Sequence, residues 1–151
     1  MTNKLTIRSA KPSDRALLLE IWLASVRATH TFLSEQEIQE LLPLVEEQAL
    51  PALELWVLLS GEEIIGFAGL ADNNLEALFL HPSHFGKGGG KMLVNHARQL
   101  KGSLVVDVNE QNPEAIKFYK SVGFEVVGRS ETDSGGRPYP ILHMKEVIQE
   151  K

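Results

Sequence analysis

The sequence has no cysteine among its 151 residues. That excludes a disulfide framework, a thiolate zinc site and a cysteine nucleophile, and it suits a reducing compartment. Nor is there an excess of positive charge: 15 Lys and Arg stand against 20 Asp and Glu, a formal net charge of -5. Nucleic-acid binding usually leaves a basic excess, so no nucleic-acid partner is expected, and an anionic ligand would need a locally positive site. No apolar run approaches the roughly 20 residues of a membrane span. The opening residues, Met1 to Arg8, read as an incipient strand and not as the apolar stretch of a signal peptide. A cytoplasmic protein without a membrane partner is the expectation. His81, His84, His96 and His143 do not fall in a metal-site spacing, and no metal is expected.

There are also no repeats, low-complexity tracts or linkers. With 43% hydrophobic and 23% charged residues, the chain can bury a core without covalent staples, and its length predicts a single domain over residues 1–151. Leu5 to Arg8 alternates as a short strand. Pro12-Ser13-Asp14 opens a helix, with Ser13 as the expected N-cap; Leu17, Leu18, Ile21 and Trp22 give that helix a wide apolar face. Ser34 and Glu37 form a capping-box pattern at the start of a second helix, which is expected to end just before Pro51. Leu53–Leu59 and Glu63–Leu70 flank the hairpin signal Ser60-Gly61, and Asp72-Asn73-Asn74 turns the chain into Leu75–Leu80. These three strands predict an antiparallel meander stopped by His81-Pro82. The pattern then becomes strand, glycine loop, helix, strand, helix, strand. Met92, Leu93, His96, Ala97 and Leu100 form a helical stripe, and Leu104–Val108 reads as a buried strand. A helix runs from Pro113 to about Gly123, and Phe124–Gly128 and Pro140–Met144 finish the sheet. The predicted fold class is α/β, with a mixed, mostly antiparallel sheet between helices on both faces.

The loop is His84-Phe85-Gly86-Lys87-Gly88-Gly89-Gly90-Lys91. Glycines at 86, 88, 89 and 90 allow positive φ and close approach of a ligand. The helix that follows offers unpaired N–H groups and the positive end of its dipole, a site for a phosphate or pyrophosphate; Lys87 and Lys91 add charge. A P-loop is excluded. Phe85 stands where its first glycine belongs, and Met92 replaces the Ser or Thr that would hold magnesium. The dinucleotide pattern fails as well, because Gly86 and Gly88 are followed by Lys91 where a third glycine is required.

Downstream of the buried strand lie Asn112, Ala115, Tyr119 and Gly123-Phe124. Together the two segments resemble the GNAT superfamily of acyl-CoA N-acyltransferases. One signature of that family is Gln or Arg, then Gly three residues on and Gly or Ala five residues on, at the mouth of a helix. The other is Asn, Ala and Tyr ending in Gly-Phe. The likeness runs from Leu5 to Lys145 and is densest from Leu75 to Phe124; it departs at Phe85, which holds the Gln/Arg position. The resemblance implies acetyl-CoA as co-substrate. Backbone groups of Leu78, Phe79 and Leu80 would pair with its pantetheine arm as an added strand does. The amides of Gly86, Lys87, Gly88, Gly89, Gly90 and Lys91 would hold its pyrophosphate, and Asn112 would contact the pantetheine or adenosine side. It also implies that two central strands splay apart beside a bulge; no residue pattern here marks that bulge.

The implied reaction is attack of a neutral amine on the thioester, with both substrates held in place. Tyr119 is the expected general acid to the departing thiolate, and a backbone N–H of Leu78–Leu80 the expected oxyanion donor. The base is Glu76, which strict alternation puts on one face with Leu78 and Leu80, or His30 between the first two helices. Phe32, Trp22 and Trp56 either line an acceptor pocket or belong to the core, and Arg129–Tyr139 either covers the acceptor or is a solvated turn. The expected function is N-acetyl transfer to a small-molecule or protein amine by a monomer or homodimer. The alternative is a CoA-binding sensor without catalysis.

Overall fold

Seven short segments of alternating or β-branched residues pair into one sheet, and the order of pairing decides where a ligand can enter. The computed structural model describes residues 4–147. The strands are β1 (Leu5–Ser9), β2 (Glu54–Ser60), β3 (Glu63–Ala71), β4 (Asn74–Leu80), β5 (Val105–Asn109), β6 (Phe124–Ser130) and β7 (Ile141–Glu146), in the spatial order β1-β2-β3-β4-β5-β7-β6. Every neighbouring pair is antiparallel except β4 and β5. The helices are α1 (Arg15–Thr29), α2 (Glu35–Leu44), the short α3 (Leu50–Ala52), α4 (Gly89–Lys101) and α5 (Pro113–Ser121). The mixed sheet between helical layers, the meander β2-β3-β4 and the single-sheet arrangement agree with the sequence expectation. No described helix is long and apolar enough to cross a membrane.

Two cores form because the sheet is covered on both sides. Leu18, Ile21, Trp22 and Val26 of α1 and Ile38 of α2 pack with Val57, Phe67 and Ala77 on one face. Leu93, Val94 and Ala97 of α4 and Tyr119 of α5 pack with Leu58, Ala68, Leu75, Val106, Val108 and Met144 on the other. β3 is consequently buried from Ile65 to Leu70 without alternation. β5 does alternate: Val106 and Val108 are buried while Asp107 is exposed. This half of the sheet is thus covered by helices on the α4–α5 side alone.

Several local expectations are corrected. Ser13 does not cap α1. The chain enters through a 3₁₀ turn, Pro12–Asp14, and the Asp14 carboxylate accepts from Lys11 N–H (2.8 Å) while pairing with Arg8 (2.8 Å). A carboxylate that serves two donors outcompetes a single hydroxyl. Ser34 and Glu37 do form the reciprocal capping box. Pro51 lies inside α3 and not beyond the helix; Pro43 sits within α2, and one π-helical turn, Val45–Ala49, joins α2 to α3. Leu100 is 43% exposed, so the buried stripe of α4 ends at Ala97. Arg98 ties the second half together: it donates to Glu146 (2.6 Å), to Asn95 and to the carbonyl of Val122, while Glu146 accepts from Leu104 N–H (3.0 Å).

Candidate active site

β4 and β5 meet in register only at Asn74 and Val105. Beyond that point the strands diverge, so the N–H and C=O groups of β4 that face β5, through Leu78, Phe79 and Leu80, have no strand partner. Unpaired backbone of this kind is a template for an extended ligand. The divergence coincides with a bulge. Gly69 opposes Ala77 and Leu70 opposes Leu75, leaving Glu76 as the extra residue. This corrects the expected face of Glu76. The bulge takes it out of the alternation: Leu75, Leu78 and Leu80 turn to the α4 side, and Ala77 and Phe79 to the α1 side. Glu76 is exposed and lines a cleft of about 180 Å³ with Leu75, Asp107, Asp133, Ser134 and Ile141.

At the end of β4 the chain passes through the 3₁₀ turn Pro82–His84 into the glycine loop. The four glycines have two separate functions. Gly86 (φ 77°) and Gly88 (φ 82°) adopt left-handed backbone, and a Cβ on either would meet nothing within 4 Å. They shape the loop and leave its surface open to a ligand. Gly89 and Gly90 are buried and face inward: a Cβ at Gly89 would lie 2.7 Å from Leu58 Cδ2, and one at Gly90 3.1 Å from Phe118 Cζ. They let the mouth of α4 press against the sheet and α5. Gly88 is the N-cap of α4 and no side chain caps the helix; the first intrahelical bond runs from Met92 N–H to the carbonyl of Gly88. The amides of Gly89, Gly90 and Lys91 therefore keep their donors free for an anion. Lys87 and Lys91 are exposed beside them, and Phe85 is 42% exposed. An open cradle of free donors next to a splayed strand pair fits the pyrophosphate and pantetheine of an acyl-CoA.

Tyr119 points its ring into the core between Phe118 and Phe124, edge-on at centroid distances of 5.2 and 5.4 Å. Its hydroxyl has no hydrogen-bond partner among the described residues, although buried tyrosine hydroxyls usually find one. Nor is that oxygen sealed off, since the fully buried side-chain polar atom without a partner is His96 Nε2. Burial pushes the Tyr119 phenol well above its ordinary value, so it stays protonated and able to donate. Asn112 is buried and caps α5, its Oδ1 accepting from Ala115 N–H (3.2 Å). That leaves its amide N–H groups as the part able to reach a ligand.

His30 is the C-cap of α1. Thr29 Oγ1 lies 2.8 Å from the carbonyl of Ser25 and 2.8 Å from His30 Nδ1. The hydroxyl spends its single proton on the carbonyl, so Nδ1 carries the imidazole hydrogen and Nε2 keeps its lone pair. Burial lowers the His30 pKa, which favours the neutral ring at pH 7. His30 packs on Phe32 (5.4 Å), Phe32 on Tyr139 (5.5 Å), and the Tyr139 hydroxyl donates to Glu37. The Arg129–Tyr139 segment thus leans across the sheet onto the start of α2. Trp22 belongs to the core; Trp56 packs on His96 over the α4 face and donates to Glu54 (2.9 Å). Phe32, by contrast, packs between His30 and Tyr139 outside the core. A larger hollow, about 670 Å³, lies between α4 and α5 and is lined by Lys91, Arg98 and Lys120 among others. Arg98 within it is already paired with Glu146.

One arrangement was invisible to sequence reasoning. Asp107, His143 and Ser130, on three adjacent strands, form a hydrogen-bonded chain: Asp107 Oδ1 to His143 Nδ1 at 2.7 Å, and His143 Nε2 to Ser130 Oγ at 2.7 Å. Only strand register brings them together, and no local spacing signals it.

Comparison with known proteins adds independent findings. The acetyltransferase (GNAT) domain family matches residues 51–126. The peptidyl-lysine N-acetyltransferase YjaB of Salmonella typhimurium is 45% identical over 141 residues, covering 93% of this chain and 97% of that protein. The solution structure of apo-form YjaB from Escherichia coli superposes with a TM-score of 0.88 at 41% identity, covering 97% of this chain and 99% of that one. The structure of YncA from Salmonella typhimurium, solved with its cofactor acetyl-CoA, gives a TM-score of 0.67 at 25% identity over 99% of this chain and 96% of that one.

Proposed function

Since this chain belongs to the GNAT family of acetyltransferases and is an acetyl-CoA-dependent N-acetyltransferase, we propose that its acceptor is the ε-amine of a lysine in a protein. Near-full-length similarity to a protein named peptidyl-lysine N-acetyltransferase carries the reading. The carboxylates of Glu76, Asp107 and Asp133 around the cleft suit a cationic side chain on a flexible stem. Acetyl-CoA supplies the activated acetyl group. The free amides of Gly89, Gly90 and Lys91 hold its pyrophosphate, with Gly86, Lys87 and Gly88 shaping the loop around it. The unpaired backbone of Leu78, Phe79 and Leu80 aligns the pantetheine arm and supplies the oxyanion donor, and Asn112 offers its amide to the same ligand.

An ammonium with an ordinary pKa of about 10.4 must lose a proton before its nitrogen attacks. Glu76, in the cleft, and His30, with a neutral ring and a free Nε2, are the two bases this reading carries. Tyr119 protonates the departing sulfur. The CoA-binding sensor is the weaker reading, because an acid-competent Tyr119 and a cleft lined with carboxylates serve turnover and not mere binding. The test is mass spectrometry after incubation with acetyl-CoA and, separately, a lysine peptide, a peptide with only an α-amine, and a polyamine. Acetylation of the lysine side chain at a kcat/KM at least tenfold above the others is expected. Acetylation confined to the small amines would refute the acceptor assignment.

A further inference from the structure

The glycine loop carries a lysine in the form that a lysine-modifying enzyme needs in an acceptor. Lys87 stands between Gly86 (φ 77°) and Gly88 (φ 82°), and a Cβ on either glycine would meet nothing within 4 Å. Lys87 is exposed and lies in neither helix nor strand. Among the described residues Lys101 is held in an ion pair by Glu54 (2.8 Å), whereas Lys87 has no ion-pair partner. The other described lysines sit in regular structure or at its edge. Lys91 and Lys101 lie in α4, Lys117 and Lys120 in α5 and Lys145 in β7; Lys4 adjoins β1, and Lys11 caps the turn before α1. A cleft of about 180 Å³ favours a side chain whose flanking backbone stands clear of its own protein, and glycine on both sides gives the least obstruction. Charge complements shape. No Asp or Glu occurs from Ala77 to Val106, a stretch that holds Lys87, Lys91, Arg98 and Lys101, while Glu76, Asp107 and Asp133 line the cleft. A chain of net charge -5 thus carries a basic segment that complements its own acidic cleft. The two do not meet within one copy. From Leu80, next to the loop, back to Glu76 at the cleft is about 13 Å of strand at 3.3 Å per residue, farther than a lysine side chain reaches.

We propose that Lys87 is a self-acetylation site, modified by a second copy of this chain, and that its acetylation weakens acetyl-CoA binding at the loop that carries it. The inference rests on the lysine-acceptor reading above. The Lys87 ammonium of one copy gives a proton to the base of the other, which passes it to water. The freed nitrogen attacks the acetyl carbonyl of the acetyl-CoA held by that other copy. The N–C bond forms and the C–S bond breaks. Tyr119 of the catalysing copy protonates the departing sulfur, and the second proton lost by the nitrogen restores its hydroxyl. The products are the Lys87 amide, the CoA thiol and one proton in solution. Acetylation removes the positive charge of the side chain. Lys87 is exposed beside the free amides of Gly89, Gly90 and Lys91, so the modified loop attracts a pyrophosphate less strongly. The enzyme would thereby lower its own cofactor affinity as its concentration and the acetyl-CoA supply rise.

Quantitative mass spectrometry of the wild-type protein decides the matter. The protein is incubated with acetyl-CoA near its Kd, so that loaded and empty copies coexist, at two protein concentrations about tenfold apart. Modification by a second copy makes the fraction of Lys87 acetylated per unit time rise about tenfold with protein concentration, and exceed that of Lys117 and Lys120 at least tenfold. Direct chemical acetylation by the thioester, or transfer within one copy, gives a fraction independent of protein concentration; a flat response at Lys87 overturns the proposal. Calorimetry tests the consequence. Lys87→Gln, a neutral stand-in for the acetylated side chain, should bind CoA at least threefold more weakly than the wild type, and an unchanged Kd overturns the feedback. A wild type that acetylates a lysine peptide while Lys87 responds flatly overturns self-acetylation and leaves the acceptor reading standing. A wild type that acetylates neither the peptide nor any protein lysine above the chemical rate refutes the acceptor reading, and this inference with it.

Discussion

Tyr119→Phe separates catalysis from packing at one atom. The ring fills the space between Phe118 and Phe124, and phenylalanine keeps that volume. The deleted hydroxyl has no partner among the described residues, so no protein hydrogen bond is broken. Removal of such a group should change stability by less than about 0.5 kcal/mol. As a general acid the same atom is worth about 10²–10⁴ in rate, or about 3–5 kcal/mol of barrier at 1.36 kcal/mol per tenfold. The assay is CoA thiol release with a lysine peptide, alongside thermal unfolding of both proteins. The expected outcome is a kcat lower by at least 10² with an unfolding midpoint within about 2 °C of the wild type. The pH dependence has a definite sign. Burial raises the phenol's pKa in the folded state, so Tyr119 contributes stability that is intact below about pH 10, the unfolded value, and is lost as pH rises above it. Tyr119→Phe should therefore be less sensitive to alkali than the wild type. Full turnover in Tyr119→Phe would refute the acid role, and an equal fall in activity and midpoint would mean that the hydroxyl is structural.

Further substitutions probe the loop and the entry to α1. Gly89→Ala forces a methyl to 2.7 Å from Leu58 Cδ2 and should cost about 1–3 kcal/mol of stability. Gly88→Ala meets open space but must hold φ near 82°, at about 1–2 kcal/mol; thermal melts of the two, with and without CoA, compare a packing defect with a backbone one. Phe85→Arg places a cation beside the free amides of the loop and should tighten CoA binding about fivefold by calorimetry, at no cost to the midpoint, since Phe85 is exposed. Asp14→Asn weakens the turn before α1 by about 1 kcal/mol. The Arg8 guanidinium holds the Asp14 pKa low, so that contribution is present above about pH 4 and is lost on acidification; the variant should show a flatter acid limb in urea melts run from pH 6 to 3.

Much of the fold was legible because it is written in neighbouring residues. Ser34 and Glu37 are three apart, and the hydrogen bonds they exchange are confined to one turn of chain. The meander turns, the start of α5 at Pro113 and the glycine loop are likewise local, since φ preferences and missing N–H groups act within a few residues. Ser13 and Pro51 show the limit: each is a plausible local signal displaced by a contact made elsewhere, Arg8 with Asp14 in the first case and the continuation through a π turn in the second.

Amino-acid order alone determined the helical layers, the mixed sheet, the glycine loop and the Asn112–Tyr119 helix, because each depends on side-chain periodicity or backbone freedom over a short span. Strand register and chain crossing decided the rest. The single point of pairing between β4 and β5, the bulge that turns Glu76 into the cleft, the contact of Tyr139 with Glu37, and the line from Asp107 through His143 to Ser130 join residues distant in the chain. A one-residue slip of register moves a side chain to the opposite face, and no pattern along the chain carries that information; only the packed sheet does.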